Sequence, residues 1–422
     1  MENTPKSLRL HIGLFGRTNV GKSSFLNMVT GQDVSIISHH PGTTTDVVEK
    51  TMELLPIGPV VFLDTAGIDD ESVLAKKRIE KTKNVFRRAD VVLLILEPNK
   101  WTEFEVNIAA EANKRNTPLI VVVNKVDSDE LRDEFLEKIK EYSRRLMFVS
   151  SIRKEKRDEY VNQFKVVLIE ATPDDFLVKP FLIGDLLPKN GLAMLIVPID
   201  LEAPKGRIIL PQVQTIRDAL DNDASAWVVK ESEYAHALKK LKTPPDIVIC
   251  DSQVVDKMVA ETPEGINCTT FSILFARFKS DLVEMARGAV AIESLMSGDK
   301  ILILEGCTHH AIEDDIGRVK IPRWLKEYTQ ADLKIDVFSG RDLPENIKEY
   351  KLIIQCGSCM LNRKESVYRI EQAKANGVPI TNYGVCISYT QGVLERVLEP
   401  FKPASLVFAQ EIAQIKKKKV AA

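Results

Sequence analysis

The chain has 422 residues, 44% of them hydrophobic and 28% charged, with a formal net charge of -2. That near balance argues against a protein that coats nucleic acid, which needs a broadly basic surface. No apolar run approaches the roughly 18 residues of a membrane helix, and residues 1–10 lack the apolar core of a signal peptide, so a cytoplasmic protein without membrane attachment is expected.

In chain order, residues 1–170 carry apolar runs at 10–15, 60–63, 91–96 and 119–123. Charged segments of helical period lie between most of them, at 71–88 and 103–114. Buried strands joined by helical crossovers predict a parallel sheet with helices on both faces. A Pro-containing stretch at 170–189 reads as a linker. A smaller unit, 171–265, follows, with strands at 193–199, 226–229 and 247–250 and helices at 212–220, 233–241 and 254–260. It has no evident catalytic constellation and suits dimerisation, docking or scaffolding. The third unit, 266–412, opens with one long helix at 274–296 and has strands at 300–304, 334–337, 352–354 and 378–382. The tail, 413–422, ends in a four-lysine run read as a solvated end. The expected class is α/β: a P-loop domain, then two smaller α/β domains with mostly parallel sheets.

Gly16-Arg17-Thr18-Asn19-Val20-Gly21-Lys22-Ser23 fits G-x-x-x-x-G-K-[ST]. It follows an apolar strand and precedes a helical stretch opened by Ser24. Glycines let the backbone wrap phosphates and present N–H donors at a positive helix end. Lys22 would reach the β- and γ-phosphates, and Ser23 would hold Mg²⁺. Downstream, Asp64-Thr65-Ala66-Gly67 supplies a carboxylate for Mg²⁺ through water and an N–H that senses the γ-phosphate. Asn124-Lys125-Val126-Asp127 places a carboxylate to accept guanine N1–H and its exocyclic amine; adenine lacks that pair of donors. Ser150 and Ser151 stand where a last base-contacting loop belongs. The expected nucleotide is therefore GTP.

Between the P-loop and Asp64 lies Pro41-Gly42-Thr43-Thr44-Thr45-Asp46, where a threonine can ligand Mg²⁺ only while the γ-phosphate is present. Three threonines compete, and Thr44 is assigned; His39 and His40 read as exposed loop residues. Lys22, Thr44, Asp64 and Gly67 are the expected catalytic residues. Ile68 stands where many small GTPases place a water-orienting glutamine, so intrinsic turnover should be slow without another source of charge. Gly16, Asn19, Gly21, Lys22 and Ser23, with Pro41-Gly42-Thr43-Thr44 and Ile68, resemble the group of GTPases that includes the tRNA-modifying GTPase MnmE and ribosome-assembly GTPases. The resemblance implies a K⁺ ion held by Asn19 in place of an arginine finger, hence potassium-stimulated hydrolysis.

Three of the six cysteines form a second pattern. Gly306-Cys307-Thr308-His309-His310 follows one predicted strand, and Gln355-Cys356-Gly357-Ser358-Cys359 follows another. Loops after strand carboxyl ends of an open parallel sheet converge on one edge. Three thiolates with one non-cysteine position suit a 4Fe–4S cluster; with His309 they equally make a Cys₃His zinc site. Ligand softness does not separate the two. Cys250 and Cys268 read as ordinary free thiols, and Cys386 follows another strand. No C-x-x-x-C-x-x-C triplet is present, which argues against radical S-adenosylmethionine chemistry.

With Pro379-Ile380-Thr381-Asn382-Tyr383-Gly384 added to these motifs, nearly the whole chain resembles the HydF family, GTPase scaffolds that mature FeFe-hydrogenase. The resemblance implies a 4Fe–4S cluster on Cys307, Cys356 and Cys359. It also implies a transient di-iron precursor with CO and cyanide ligands, delivered to apo FeFe-hydrogenase. The implied partners are the radical S-adenosylmethionine maturases HydE and HydG and a second copy of the chain, paired through the middle domain. One departure stands out: many members have histidine just before C-x-x-C, where this chain has Gln355. His309, a carboxylate or water is left for the fourth iron position. The competing readings are an RNA-modification or ribosome-assembly GTPase with a zinc-stabilised C-terminal domain, and a bare switch whose output is partner binding.

Overall fold

The computed structural model describes residues 5–31, 48–64, 75–177, 180–199, 206, 208–306, 315–340 and 343–421. The chain divides into two compact units, Met1–Lys179 and Pro180–Ala422.

In the first unit, the described strands are β1 (Leu10–Phe15), β2 (Val48–Leu54), β3 (Gly58–Asp64), β4 (Val91–Leu96), β5 (Leu119–Val123) and β6 (Arg145–Phe148). They lie in the order β2-β3-β1-β4-β5-β6; only the β2–β3 pair is antiparallel. Helices α1 (Lys22–Thr30), α2 (Ala75–Arg88), α3 (Glu103–Lys114), α4 (Asp133–Tyr142), α5 (Arg157–Ala171) and the single turn α6 (Asp174–Leu177) complete it. Successive side chains of a strand point to opposite faces. On β4, Val91, Leu93 and Ile95 join Phe25 of α1 and Phe164 of α5 in one core. Val92, Leu94 and Leu96 join Phe86 of α2 and Ile108 of α3 in another. A strand buried on both faces must be apolar at every position, which is why β4 reads as a continuous run.

The second unit holds two parallel sheets. The first is built from β7 (Leu192–Ile196), β8 (Ser225–Val229), β9 (Ile247–Cys250) and β10 (Asn267–Thr270), in the order β10-β9-β7-β8. The second is built from β11 (Lys300–Glu305), β12 (Lys334–Ser339), β13 (Leu352–Gln355) and β14 (Ile380–Asn382), in the order β12-β11-β13-β14. Both sheets contribute to one continuous core, with Ile249 of β9 and Ile303 of β11 in the same buried cluster. The helices are α7 (Leu210–Asp221), α8 (Tyr234–Lys240), α9 (Val255–Glu261), α10 (Phe271–Lys279), α11 (Leu282–Ala289), α12 (Ile321–Thr329), α13 (Arg363–Ala375), α14 (Tyr383–Thr390), α15 (Leu394–Leu398) and α16 (Lys402–Ala421). Among the described residues no helix is long and apolar enough to cross a membrane.

The single helix expected at 274–296 is in fact broken. Ser280 leaves the helical conformation, and the Asp281 carboxylate accepts a hydrogen bond from Glu284 N at 3.1 Å to start α11 afresh. A 3₁₀ segment, Val290–Ser294, then ends it. An N-cap carboxylate satisfying a helix-start N–H outweighs the apolar periodicity that runs through the junction.

One carboxylate fixes the start of the second unit. Asp218 of α7 accepts three successive backbone N–H groups, from Leu182 (3.1 Å), Ile183 (2.7 Å) and Gly184 (2.8 Å). Hydrogen bonds to a charged acceptor are worth roughly 1.5–3 kcal/mol each, and orphaned N–H groups carry a desolvation cost. Asp218→Ala is expected to destabilise this unit by about 3 kcal/mol, read as a lower urea midpoint in tryptophan fluorescence.

Candidate functional site

In the first sheet the chain leaves β1 towards β3 on one side and later resumes at β4 on the other, so the topological switch lies between β1 and β4. Ligands of open α/β sheets bind outside the carboxyl ends of strands at such a point. The loop after β1 is the P-loop, and α1 starts from it at Gly21. Gly21 has φ +93°, and a Cβ there would stand 2.2 Å from Asn124 Nδ2. Gly16, at φ +151°, would drive a Cβ to 2.3 Å from the Ile95 carbonyl on β4. Both positions therefore demand glycine on conformation and on space. Ser23 and Ser24 lie exposed in the first turn of α1, where free N–H groups and the helix dipole favour an anion. Lys22 Nζ bends back over the loop, donating to the carbonyls of Gly16 and, at 2.9 Å, Arg17.

Residues after β5 close the other side. Asn124, buried, donates to Val20 O at 3.0 Å and accepts from Ser151 N (3.1 Å) and Ser151 Oγ (2.9 Å). Lys125, at φ +61°, donates to Asn19 O at 2.6 Å and to Glu97 at 2.6 Å. Asp127 stands exposed, and its carboxyl is held below the usual range first by the Ser150 side chain and more weakly by Arg153. Asp64 is buried at the end of β3, in register with Leu14 of β1. The structure thus gathers Gly16, Asn19, Gly21, Lys22, Asn124, Lys125 and Ser151 into one contact network. Thr44 and Gly67, with His39, His40 and Ile68, lie outside the described residues.

Sequence reading missed Glu105. It is fully buried on α3, where Oε1 accepts from Arg17 Nε at 2.8 Å and Oε2 accepts from Thr102 N and Oγ at 2.7 Å. The P-loop is thereby tied to the start of α3. The capping-box spacing of Thr102 and Glu105 was the readable signal. Glu105→Ala is expected to cost about 3 kcal/mol of stability in this unit, the low end for removing one partner of a buried pair because Arg17 keeps some solvent contact. Nucleotide affinity should fall with it, measured by titration with a fluorescent GTP analogue.

In the second sheet of the other unit, β11 has β12 on one side and β13 on the other, so the switch point lies between β11 and β13. Those two strands lead into the cysteine loops. Leu304 pairs with Gln355, Cys356 N donates to Leu304 O at 2.8 Å, and Gly306 N donates to Cys356 Sγ at 3.0 Å. Cys356 and Cys359 are both partly buried, and Ser358 between them takes φ +54°. Burial pushes the Cys359 thiol up, as does the neighbouring Cys356, while Lys279 opposes both. Lys279 is itself pushed down to about 8 by burial.

Gln355 is buried and donates to Ser358 Oγ (2.7 Å) and Ser366 Oγ (2.9 Å), bracing the loop from below. Glu305, ahead of Gly306, is clamped by Arg318 at 3.0 and 2.7 Å and by Ser339 at 2.6 Å. Cys307 and His309 lie outside the described residues. Among the described residues no group of three or more His, Cys, Asp or Glu side chains is placed to hold a metal ion. Cys250, Cys268 and Cys386 are buried thiols, each pushed up by burial.

Comparison with known families decides the identity of this second unit. Residues 182–280 match the hydrogen maturase F dimerization domain, and residues 283–400 match its tetramerization domain, together more than half of the chain. The chain belongs to the hydrogen maturase F family. Residues 11–125 match the 50S ribosome-binding GTPase family, so this hydrogen maturase F chain carries a P-loop GTPase domain. The tRNA modification GTPase MnmE of Prochlorococcus marinus is 38% identical over 135 residues, which is 32% of this chain and 28% of that protein. GTPase Der of Persephonella marina is 33% identical over 154 residues, 35% of this chain and 34% of that protein. The chain thus spans about a third or less of the length of these curated relatives. A variant of Aquifex aeolicus Era bound to GDP.AlF4- is 23% identical, covers 52% of this chain and 93% of its own, and has a TM-score of 0.31. The cysteine loops fall in the tetramerization region of the hydrogen maturase F match, and Lys279 falls in the dimerization region.

Proposed function

We propose that this chain hydrolyses GTP and acts as a scaffold that holds a 4Fe–4S cluster and a transient di-iron precursor for delivery to apo FeFe-hydrogenase. The observation that carries the reading is the Gly306 N–H to Cys356 Sγ bond at the β11–β13 switch point, which ties the residue before Cys307 to the Cys356–Cys359 loop. Family membership and the GTPase domain support it. The residues present fit an iron–sulfur cluster: two thiols sit on one short loop in a partly buried edge, and a backbone N–H donates to a cysteine sulfur as it would to a thiolate ligand. Cys307, Cys356 and Cys359 would hold the cluster, with His309 a candidate for the fourth iron position. Bound there, the cluster would supply an anchoring point for the di-iron cargo.

In the first unit, Gly16, Gly21 and Lys22 would cradle the phosphates. Ser23 and Thr44 would bind Mg²⁺, with Asp64 reaching it through water and Gly67 sensing the γ-phosphate. Asn19 would hold K⁺, and its exposure at φ +64° within the phosphate loop leaves its side chain available. Asn124, Lys125, Asp127, Ser150 and Ser151 would form the guanine pocket. The proposed partners are apo hydrogenase, HydE and HydG in the cytoplasm, and further copies of the chain through the two oligomerization regions. The division proposed is a GTPase domain at 1–170, a dimerisation domain, a cluster-binding domain to 412 and a basic end that continues α16.

The test is metal and sulfide analysis with EPR on anaerobically purified, dithionite-reduced protein. Roughly four irons per chain, as a 4Fe–4S centre requires, with a reduced-cluster signal lost in Cys307→Ser, support the proposal. Stoichiometric zinc with no iron, even after reconstitution, overturns it in favour of a zinc-stabilised GTPase.

A further inference from the structure

The loop that carries Cys356 and Cys359 is bedded on α10, a helix that enters from the other sheet of the unit. At its start, Ser272 Oγ lies 4.0 Å from where a Cβ on Gly357 would stand. At its end the contacts are reciprocal. Lys279 Nζ donates to the carbonyls of Cys359 (3.1 Å) and Leu361 (3.5 Å). Arg363, just past the loop, donates back to the carbonyls of Phe278 (3.1 Å) and Ser280 (3.3 Å). The Ser366 and Ser280 hydroxyls meet at 3.0 Å.

Lys279 is only 1% exposed, against the Phe275 ring at 5.5 Å. Burying an ammonium costs several kcal/mol, and an apolar side chain of the same length would fill the space without that cost. Two carbonyl dipoles and the negative end of α10 offset part of the cost. The groups whose charge favours the ammonium are Cys359, once it is ionised to a thiolate, and the Glu365 carboxylate. A thiolate cluster on Cys356 and Cys359 would add negative charge to the loop whose carbonyls the ammonium contacts.

We propose that Lys279 is a positioning residue of the cysteine site: its buried ammonium pins the 356–361 loop to α10 and offsets the negative charge of a thiolate-bound cluster. The inference rests on the cluster-scaffold reading above. It makes α10 a physical link between the dimerization region and the cluster loop.

The experiment uses full-length protein, reconstituted anaerobically with iron and sulfide, as wild type, Lys279→Met and Lys279→Arg. Two quantities are read: the cluster midpoint potential by EPR-monitored redox titration, and the rate of iron loss to a chelator. Groups supporting a metal site from outside its ligand set typically cost 10–100-fold when removed. The Met variant is expected to lose iron about tenfold faster and to titrate at a more negative potential; the Arg variant, which keeps the charge, should hold a potential near wild type. A folded Met variant with wild-type potential and iron retention overturns the inference. So does faster iron loss in both variants with no change in potential, since that describes packing alone. Should the Met variant not fold, Lys279→Gln, neutral but able to donate to the same carbonyls, is read in the same way. A wild-type protein that takes up no iron overturns the cluster-scaffold reading instead.

Discussion

Replacing Cys356 by Ser is expected to abolish activation of apo FeFe-hydrogenase while leaving GTP turnover near wild type. On the proposed cluster site the substitution removes one of three thiolate ligands, and a hydroxyl neither ionises near neutral pH nor matches iron–sulfur chemistry as a thiolate does. Little else should change. The backbone bond from residue 356 N to Leu304 O continues the sheet whatever the side chain is. The serine oxygen can still accept from Gly306 N. Gln355 still braces the loop through Ser358 and Ser366. The P-loop and the residues assigned to the guanine base all lie in the other compact unit. Iron content, hydrogenase activation and GTP turnover are measured on one preparation. Intact activation would remove this site from the maturation step; loss of both activities together would point to misfolding.

What was legible in the sequence follows from burial on two faces. Leu10–Phe15, Val91–Leu96 and Leu119–Val123 are strands at the bounds their apolar runs suggested, because central parallel strands are buried on both faces; His11 is the polar exception in β1, its ring nitrogen 2.8 Å from the Arg9 carbonyl. Three strands, β2, β6 and β10, gave no such signal. β2 holds Glu49-Lys50-Thr51 in a row, β6 begins with Arg145, and β10 is Asn267-Cys268-Thr269-Thr270. Polar side chains are permitted there, so hydrophobicity could not mark them. The break between α10 and α11 was written in Asp281 and Glu284 but hidden beneath a helical pattern that runs through both.

The two sites show the same division. Glycines and ionisable groups are read from type and spacing, so the P-loop and the Cys356–Cys359 loop stand out in the sequence. Glu105 and Lys279 contact those loops from neighbouring helices. Only the fold brings Arg17 to the first and Cys359 to the second. No linear motif encodes that proximity.

Asp127→Asn should reduce GTP affinity by about 10⁴-fold, the scale on which a site built for one hydrogen-bonding pattern rejects another. The carboxylate offers two acceptors, which suit guanine N1–H and the 2-amino group together. An amide in its place turns a donor towards one of those donors. The surrounding frame does not depend on Asp127: Asn124 holds Val20 and Ser151, and Lys125 holds Asn19 and Glu97. The loss should therefore be specific to the base, with the phosphate site intact. Xanthosine triphosphate supplies the discriminating measurement. Its carbonyl at position 2 accepts where guanine donates, so the Asn variant should bind and hydrolyse it better than GTP. Competition between the two nucleotides in a turnover assay reads this directly. A variant that rejected both equally would show that Asp127 shapes the loop and does not read the base.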